Sequence, residues 1–173
     1  RPLVHHPRAQ VRKEVVRAIQ QMNHPNATDL QLSFLKDPDG GIRMAAVRAL
    51  GQARYQPARE LLLQIIQSRE CRGKNLAEKA SLFDALGRIG GEVVIPILEK
   101  ILRRRRWFFL RTRKRTELGM CAALALKRIG TPRAIAVLEA GRTLRDTRLR
   151  QACAKALEEM NTESLPRASP PSS

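Results

Sequence analysis

The residues best suited to a chemical role lie between positions 103 and 115. Eight of these thirteen residues are Arg or Lys, none is Asp or Glu, and they include three of the six aromatic residues in the chain. The segment therefore holds +8 of the net charge of +17, which costs free energy through self-repulsion unless an anionic group faces it. Basic residues interleaved with aromatic ones suit single-stranded nucleic acid or an anionic membrane surface, and Trp and Arg also dominate protein interfaces.

Ten residues of this basic-aromatic segment are candidate contacts for a partner or an anion: Arg103, Arg104, Arg105, Arg106, Trp107, Phe108, Arg111, Arg113, Lys114 and Arg115. Three interpretations stay open. In the first, a helix runs on to about residue 106, residues 107–110 fold back into a groove and the arginines are solvated. In the second, the segment anchors a protein, and in the third it binds phosphate groups of nucleic acid or lipid. No acidic residue lies between Glu99 and Glu117, so neutralisation is expected from distant parts of the chain or from outside it.

Other residue types offer little further chemistry. The three histidines have no Cys or Glu at the spacing of metal ligands, and no Gly-rich phosphate loop or nucleophile elbow is found. Cys71, Cys121 and Cys153 form no metal or redox motif, and the last two occupy positions where small apolar residues are needed on helices. The sequence therefore predicts no catalytic residue, no metal and no cofactor, and it predicts core thiols in a reducing setting.

Composition limits the fold and leaves the origin of the charge open. Hydrophobic residues make up 43% of the chain and aromatic residues only 3%, which favours close-packed helices over a β-sandwich. Of the 33 basic residues 25 are Arg, a ratio that a GC-rich genome also produces. No apolar stretch approaches the ~18–20 residues that span a membrane. Since the chain starts at Arg1, we expect a fragment of a longer array or larger protein. We also expect the protein to be bacterial and, because its cysteines fit a reducing setting, cytoplasmic.

An internal repeat positions all of these residues. The frame that starts at Val11 returns at residues 42, 78, 118 and 149, with offsets of 31, 36, 40 and 31. One column of the repeat is always Ala, at 18, 49, 85, 125 and 156, and the next is always Ile or Leu. Within a unit the apolar positions follow the i, i+4, i+7, i+8, i+11 spacing of one helical face. The invariably small column predicts close packing of neighbouring backbones, so that Ala49 and Ala85 should be buried.

Each of these first helices precedes a break and then a second apolar helix. The second helices are predicted at about 26–36, 57–68, 92–104 and 132–142. One break is clearly marked: Gly130 ends a helix, Thr131 is the N-cap of the next and Pro132 is its first residue. Such pairs cannot bury both apolar faces alone, so they must stack. We therefore predict an all-α solenoid over 1–160 and a disordered tail, rich in Pro and Ser, over 161–173.

Three motifs resemble HEAT repeats: Ala-Leu-Gly-x-Ile-Gly at 85–90, Ala-Leu-Lys-Arg-Ile-Gly-Thr-Pro at 125–132, and Asp-x-x-x-Arg at 39–43 and 146–150. The chain looks most like the short bacterial variety also found in phycobilisome-lyase-like proteins, over about residues 6–160. The resemblance implies an armadillo-like, right-handed α-α superhelix of four and a half to five helix pairs. It also implies that a basic residue just inside each first helix pairs with an Asp of a nearby turn.

Six residues are accordingly expected to be structural rather than functional: Arg12, Asp39, Arg43, Lys79, Asp146 and Arg150. Asp39 and Asp146 also suit helix N-caps. HEAT arrays serve many tasks, so the resemblance leaves the function open. We expect a non-catalytic scaffold that binds a protein along a ridge or on a concave face of second helices, without a small-molecule substrate. The alternative is binding of nucleic acid or an anionic membrane surface through 103–115; lyase-like or DNA-glycosylase-like activity is disfavoured, the latter by the single Trp and Tyr.

Overall fold

The protein is an all-α helical solenoid over the residues that the computed structural model describes, which are 3–22, 25–103 and 113–164, with backbone alone at 25–28, 163 and 164. Within these ranges ten α-helices and no strand are found. They are α1 (Ala9–Gln21), α2 (Pro25–Ser33), α3 (Gly40–Gln52), α4 (Ala58–Gln67), α5 (Arg69–Gly73), α6 (Leu76–Gly90), α7 (Ile95–Arg103), α8 (Arg113–Ile129), α9 (Pro132–Gly141) and α10 (Thr147–Ser164). The predicted fold class is confirmed.

The helices alternate between two layers, as the repeat predicts. The first helices of the repeats are α1, α3, α6, α8 and α10, and each packs against the next one in this order. The second helices are α2, α4, α7 and α9, and they cover the other side of the core. The turn before α9 is built as predicted: Gly130 has a φ of +68°, which suits glycine, and the Thr131 side chain accepts a hydrogen bond from the backbone N–H of Ala134.

Several helix boundaries differ from the prediction. The short helix α5 is unpredicted and begins at a Ser68 cap, whose side chain accepts from the Cys71 N–H. Helix α8 is described from Arg113, so it already covers the five residues before the repeat frame. Helix α10 continues through residue 164, beyond the predicted domain end at 160, and residues 165–173 lie outside the described part of the chain.

The repeat columns form the core. Leu50, Leu86 and Leu126 have no exposed surface, and the Ala column is buried at 49, 85, 125 and 156. Ala18 is the exception and is exposed, because within the described residues no earlier first helix packs against it. All three cysteines are buried, which confirms the expectation for Cys121 and Cys153, and burial raises the pKa of Cys121 to about 12 and that of Cys153 to about 11.

Small residues bring the first helices unusually close together. A Cβ placed on Gly51 would lie 2.9 Å from the Cα of Ala85, and one on Gly87 would lie 2.7 Å from the carbonyl oxygen of Ala125. Among the described second helices only α7 and α9 make a clear lateral contact, and it is smaller than those between the first helices. The first helices therefore form the more tightly packed of the two layers. Binding on a concave face of second helices, as expected from the sequence, stays a prediction.

Candidate functional site

The basic-aromatic segment is described at its two ends. Arg103 is the exposed last residue of α7, and Arg113 and Lys114 are exposed at the start of α8 with Arg115 half-buried beside them. The other candidates lie outside the described residues: Arg104, Arg105, Arg106, Trp107, Phe108 and Arg111. The predicted continuation of the preceding helix to about residue 106 is therefore described only as far as Arg103.

Two arginines of this segment are neutralised locally, which corrects the expectation that partners come from distant repeats or from outside. Arg103 Nε lies 3.1 Å from the Glu99 carboxylate, and Arg113 Nε lies 3.2 Å from that of Glu117. Both pairs are four residues apart on one helix, a spacing that brings side chains together. The sequence already indicated these pairs, because Glu99 and Glu117 stand four residues from Arg103 and Arg113. Arg113 is nevertheless 86% exposed, so its pair is weak.

A ladder of ion pairs links successive first helices along one edge of the array. Arg12 makes two hydrogen bonds of 2.7 and 2.9 Å to Asp37, in the turn before α3, as the family resemblance implies. Arg43 pairs instead with Glu78 at 2.6 and 3.1 Å, and Lys79 pairs with Glu117 at 2.8 Å. These two glutamates belong to the next first helix and not to a turn. Each rung therefore joins one repeat to the following one.

The two aspartates of the Asp-x-x-x-Arg motif cap helices as predicted. Asp39 accepts from the backbone N–H groups of Gly41 and Ile42 at the start of α3, at 2.8 and 3.1 Å. Asp146 accepts from two backbone N–H groups at the start of α10 and from the hydroxyl of Thr116 at 3.1 Å. Arg150 departs from the implied pairing, since its guanidinium donates to the carbonyl of Leu144 and the hydroxyl of Thr147.

The ladder shifts the titration of its carboxylates in one direction. Burial alone would raise the pKa of Asp37 and of Glu78, but hydrogen bonds from Arg12 and Arg43 respectively outweigh it, and both pKa values lie below their ordinary range. For Glu117 the hydrogen bond from Lys79 is the largest influence and lowers the pKa. All three carboxylates are therefore held ionised at neutral pH.

A second candidate surface was missed by the sequence analysis. Three first helices each carry residues with solvent exposure at i, i+4 and i+8, a spacing that places nine side chains in three rows across neighbouring helices. We call these nine positions the inner face: residues 44, 48 and 52 of α3, residues 80, 84 and 88 of α6, and residues 120, 124 and 128 of α8. All nine have solvent exposure. The repeat alignment could have indicated this surface, because its three columns vary in residue type whereas the core columns do not.

The inner face combines apolar and positively charged side chains. Met44, Ala80, Met120 and Leu124 give it an apolar strip, and Met120 is 37% exposed. Its charged residues are three arginines, at 48, 88 and 128, and one aspartate, Asp84, so that its formal charge is 3 − 1 = +2. It carries no aromatic side chain and no His or Cys. Such a surface is suited to contact with a partner.

Comparison with known proteins agrees with this architecture. Residues 2–80 match the family model described as HEAT repeats. No curated protein matches the chain. In the described residues no helix is long and apolar enough to cross a membrane, and no three His, Cys, Asp or Glu side chains are grouped so as to hold a metal ion. The matched region spans the first two repeats, and α6 to α10 continue the same two-layer packing with the same Ala and Leu columns. Residues 2–80 therefore form HEAT repeats, the family to which this part of the chain belongs.

Proposed function

We propose that this array is a non-catalytic adaptor that binds a protein partner on the inner face. The observation that carries the proposal is the composition of that face, which places half-buried Met44 and exposed Met120 beside three Arg side chains on three adjacent, closely packed helices. Met and Arg are enriched in protein interfaces, and Met adapts its shape to varied partners. A cytoplasmic location and a bacterial origin remain predictions from the sequence.

The packing behind the inner face supports a preformed binding surface. The helices that carry it approach each other at Gly51 and Gly87 with no room for a Cβ atom, so they cannot shift independently. The ladder of ion pairs fixes the same helices at one edge. A surface that does not reorganise on binding loses less free energy to ordering, which favours affinity at a modest contact area.

Selection from a library of displayed random peptides tests the proposal directly. We expect peptides recovered on the wild-type protein to bind at least about tenfold more weakly to the Met44→Gln/Met120→Gln variant, since both methionines of the face lose their apolar contacts with the peptide. Fluorescence anisotropy with the labelled peptides measures the affinities. Gln is close to Met in size and suits a helix, so the fold should be retained.

Val93→Gln is the matched control, because Val93 is an exposed apolar residue between α6 and α7, outside the inner face. Its affinity for the same peptides should equal that of the wild type. If the recovered peptides bind the Met44→Gln/Met120→Gln variant as tightly as the wild type, the inner face is not the binding surface and the proposal fails.

The basic-aromatic segment supports a second candidate function, the binding of a polyanion such as nucleic acid or an anionic membrane surface. Eight basic residues and no acidic one stand in 103–115. Of the four basic residues that the structure describes here, Arg103 and Arg113 each have a carboxylate partner, and Lys114 is exposed. Phosphate groups bind such clusters through charge neutralisation and counterion release.

Charge reversal at Arg104 and Arg106 tests this second function. We expect Arg104→Glu/Arg106→Glu to abolish most of any binding to heparin or single-stranded DNA. The logarithmic slope of affinity against salt should also become shallower, by about one for each phosphate group that the variant no longer neutralises. Arg113 is left unchanged because it pairs with Glu117. The control is Arg133→Glu/Arg145→Glu, at the start of α9 and in the turn that follows it, which makes the same charge change at two exposed positions outside the segment. If the affinity for heparin or single-stranded DNA falls equally in both variants, the effect comes from net charge alone, and the segment is not a polyanion site.

A further inference from the structure

We propose that the inner face selects an acidic segment of the partner protein, whose carboxylates bind to Arg48, Arg88 and Arg128 while apolar side chains between them cover Met44, Met120 and Leu124. This inference rests on the proposed function, and it adds the chemical class of the partner. It is carried by a pair of guanidinium groups that share one carboxylate.

Asp84 lies between two arginines from successive repeats. Arg88 Nε donates to one oxygen of Asp84 at 2.8 Å, and Arg128 Nε donates to the other oxygen, also at 2.8 Å. One carboxylate neutralises one guanidinium, so the trio keeps a charge of +1. Each arginine uses only its Nε in these bonds, and in the described part of the chain the Nη groups of both have no protein acceptor. These unused donors are suited to a second carboxylate.

The stems of both arginines are held in place by the glycines of the preceding helices. The Cδ of Arg88 lies 3.5 Å from the position that a Cβ on Gly51 would occupy, and the Cβ of Arg128 lies 2.8 Å from the corresponding position on Gly87. Each side chain therefore crosses the preceding helix where that helix has no side chain of its own. With side chains 33% and 38% exposed, both arginines are partly ordered before a ligand arrives, which lowers the entropic cost of binding.

Arg48 extends the positive charge to the neighbouring helix. It is exposed on α3, in the row that also holds Asp84, and its Nε donates to the Met44 carbonyl at 3.3 Å. No carboxylate pairs with it among the described residues. Three guanidinium groups from three consecutive first helices thus face solvent beside an apolar strip.

The geometry of the array fixes the spacing of the acidic residues that it recognises. Packed helices lie roughly 8–10 Å apart, and an extended chain advances about 3.3 Å per residue. A partner segment that crosses the first helices therefore presents one carboxylate to each repeat when acidic residues stand at about every third position. The apolar strip and the lack of any aromatic side chain on the inner face favour a peptide over single-stranded nucleic acid, which needs stacking platforms.

Anisotropy measurements with synthetic ligands test the inference. The probe is a labelled twelve-residue peptide of repeating Glu-Leu-Ser, and the comparisons are the same peptide with Lys in place of Glu and an oligothymidine of equal length. We expect the wild-type protein to bind the Glu peptide at least about tenfold more tightly than either comparison. Arg48→Gln/Arg128→Gln should weaken binding of the Glu peptide about tenfold or more, whereas Arg133→Gln on α9 should leave it unchanged.

Asp84→Asn supplies a change of opposite sign. It removes the one negative charge of the inner face, so binding of the Glu peptide should become severalfold tighter, which a merely structural disturbance would not produce. Tighter binding of oligothymidine than of the Glu peptide, or unchanged affinity in Arg48→Gln/Arg128→Gln, overturns the inference. The inference is also overturned if library peptides that lose affinity for the Met44→Gln/Met120→Gln variant contain no acidic residues. That result would leave the proposed function intact, so failure of the inference and failure of the proposed function are distinguishable.

Discussion

Glu117→Gln is expected to lower the free energy of unfolding by about 2–3 kcal/mol, because it leaves a buried ammonium group without a counter-charge. The side chain of Lys79 is only 1% exposed, and its Nζ lies 2.8 Å from Glu117, which is itself 18% exposed. Gln keeps the size of the side chain and one hydrogen-bond acceptor, so the decrease in stability measures the charge. Urea denaturation followed by circular dichroism gives the value, provided that the slope with urea is unchanged.

The partner variants distinguish a missing charge from a disturbed helix. Lys79→Met replaces the buried ammonium by an apolar group of similar length, and it leaves Glu117 near Arg113 and solvent. We expect it to cost less than about 1 kcal/mol, and the double variant Lys79→Met/Glu117→Gln to be as stable as Lys79→Met alone. If Glu117→Gln remains equally destabilising in the Lys79→Met background, the effect does not come from this ion pair.

The same pair has a predicted dependence on pH. The hydrogen bond from Lys79 lowers the pKa of Glu117 below its ordinary value of 4.5. A carboxyl group with a depressed pKa in the folded state contributes stability above its unfolded pKa, and that stability is lost as the pH falls through the folded pKa. The difference in stability between wild type and Glu117→Gln should therefore be constant near neutral pH and should shrink below about pH 4.5.

The architecture of this protein was readable from the sequence because it rests on repetition. A column that is always Ala, as at Ala49 and Ala85, predicts burial at a close helix contact. Because five copies of the repeat align, its period can be determined from the sequence alone. The N-caps Asp39 and Thr131 were readable for the same reason, since their effect is local. Helix order, packing partners and the core could all be derived in this way.

Contacts between repeats were harder to derive, because they depend on the rotation of one helix against the next. The resemblance implied that Arg43 and Lys79 pair with aspartates of a turn, but their partners are glutamates of the following first helix. The inner face was missed because its residues share a location and not a residue type. The trio around Asp84 joins positions four and forty-four residues apart, and nothing in the local sequence indicates the longer step.

Gly87→Ala is expected to destabilise the protein by about 2–3 kcal/mol, an unusual cost for a substitution that normally favours a helix. The added Cβ would lie 2.7 Å from the carbonyl oxygen of Ala125 and 2.8 Å from the Cβ of Arg128. The first of these atoms belongs to backbone, so it cannot move away as a flexible side chain would. Helices α6 and α8 must separate, and the apolar contacts between them loosen.

Gly73→Ala is the matched control for this close approach. A Cβ on Gly73 would meet nothing within 4 Å, so the change should be neutral or stabilise slightly, by up to about 0.5–1 kcal/mol, through the unfolded chain. Ala85→Leu overpacks the neighbouring contact at Gly51 and should cost about 1–3 kcal/mol. Thermal unfolding of the three variants in parallel checks the order. If Gly87→Ala melts at the same temperature as Gly73→Ala, and clearly above Ala85→Leu, helices α6 and α8 are not in backbone contact at Gly87.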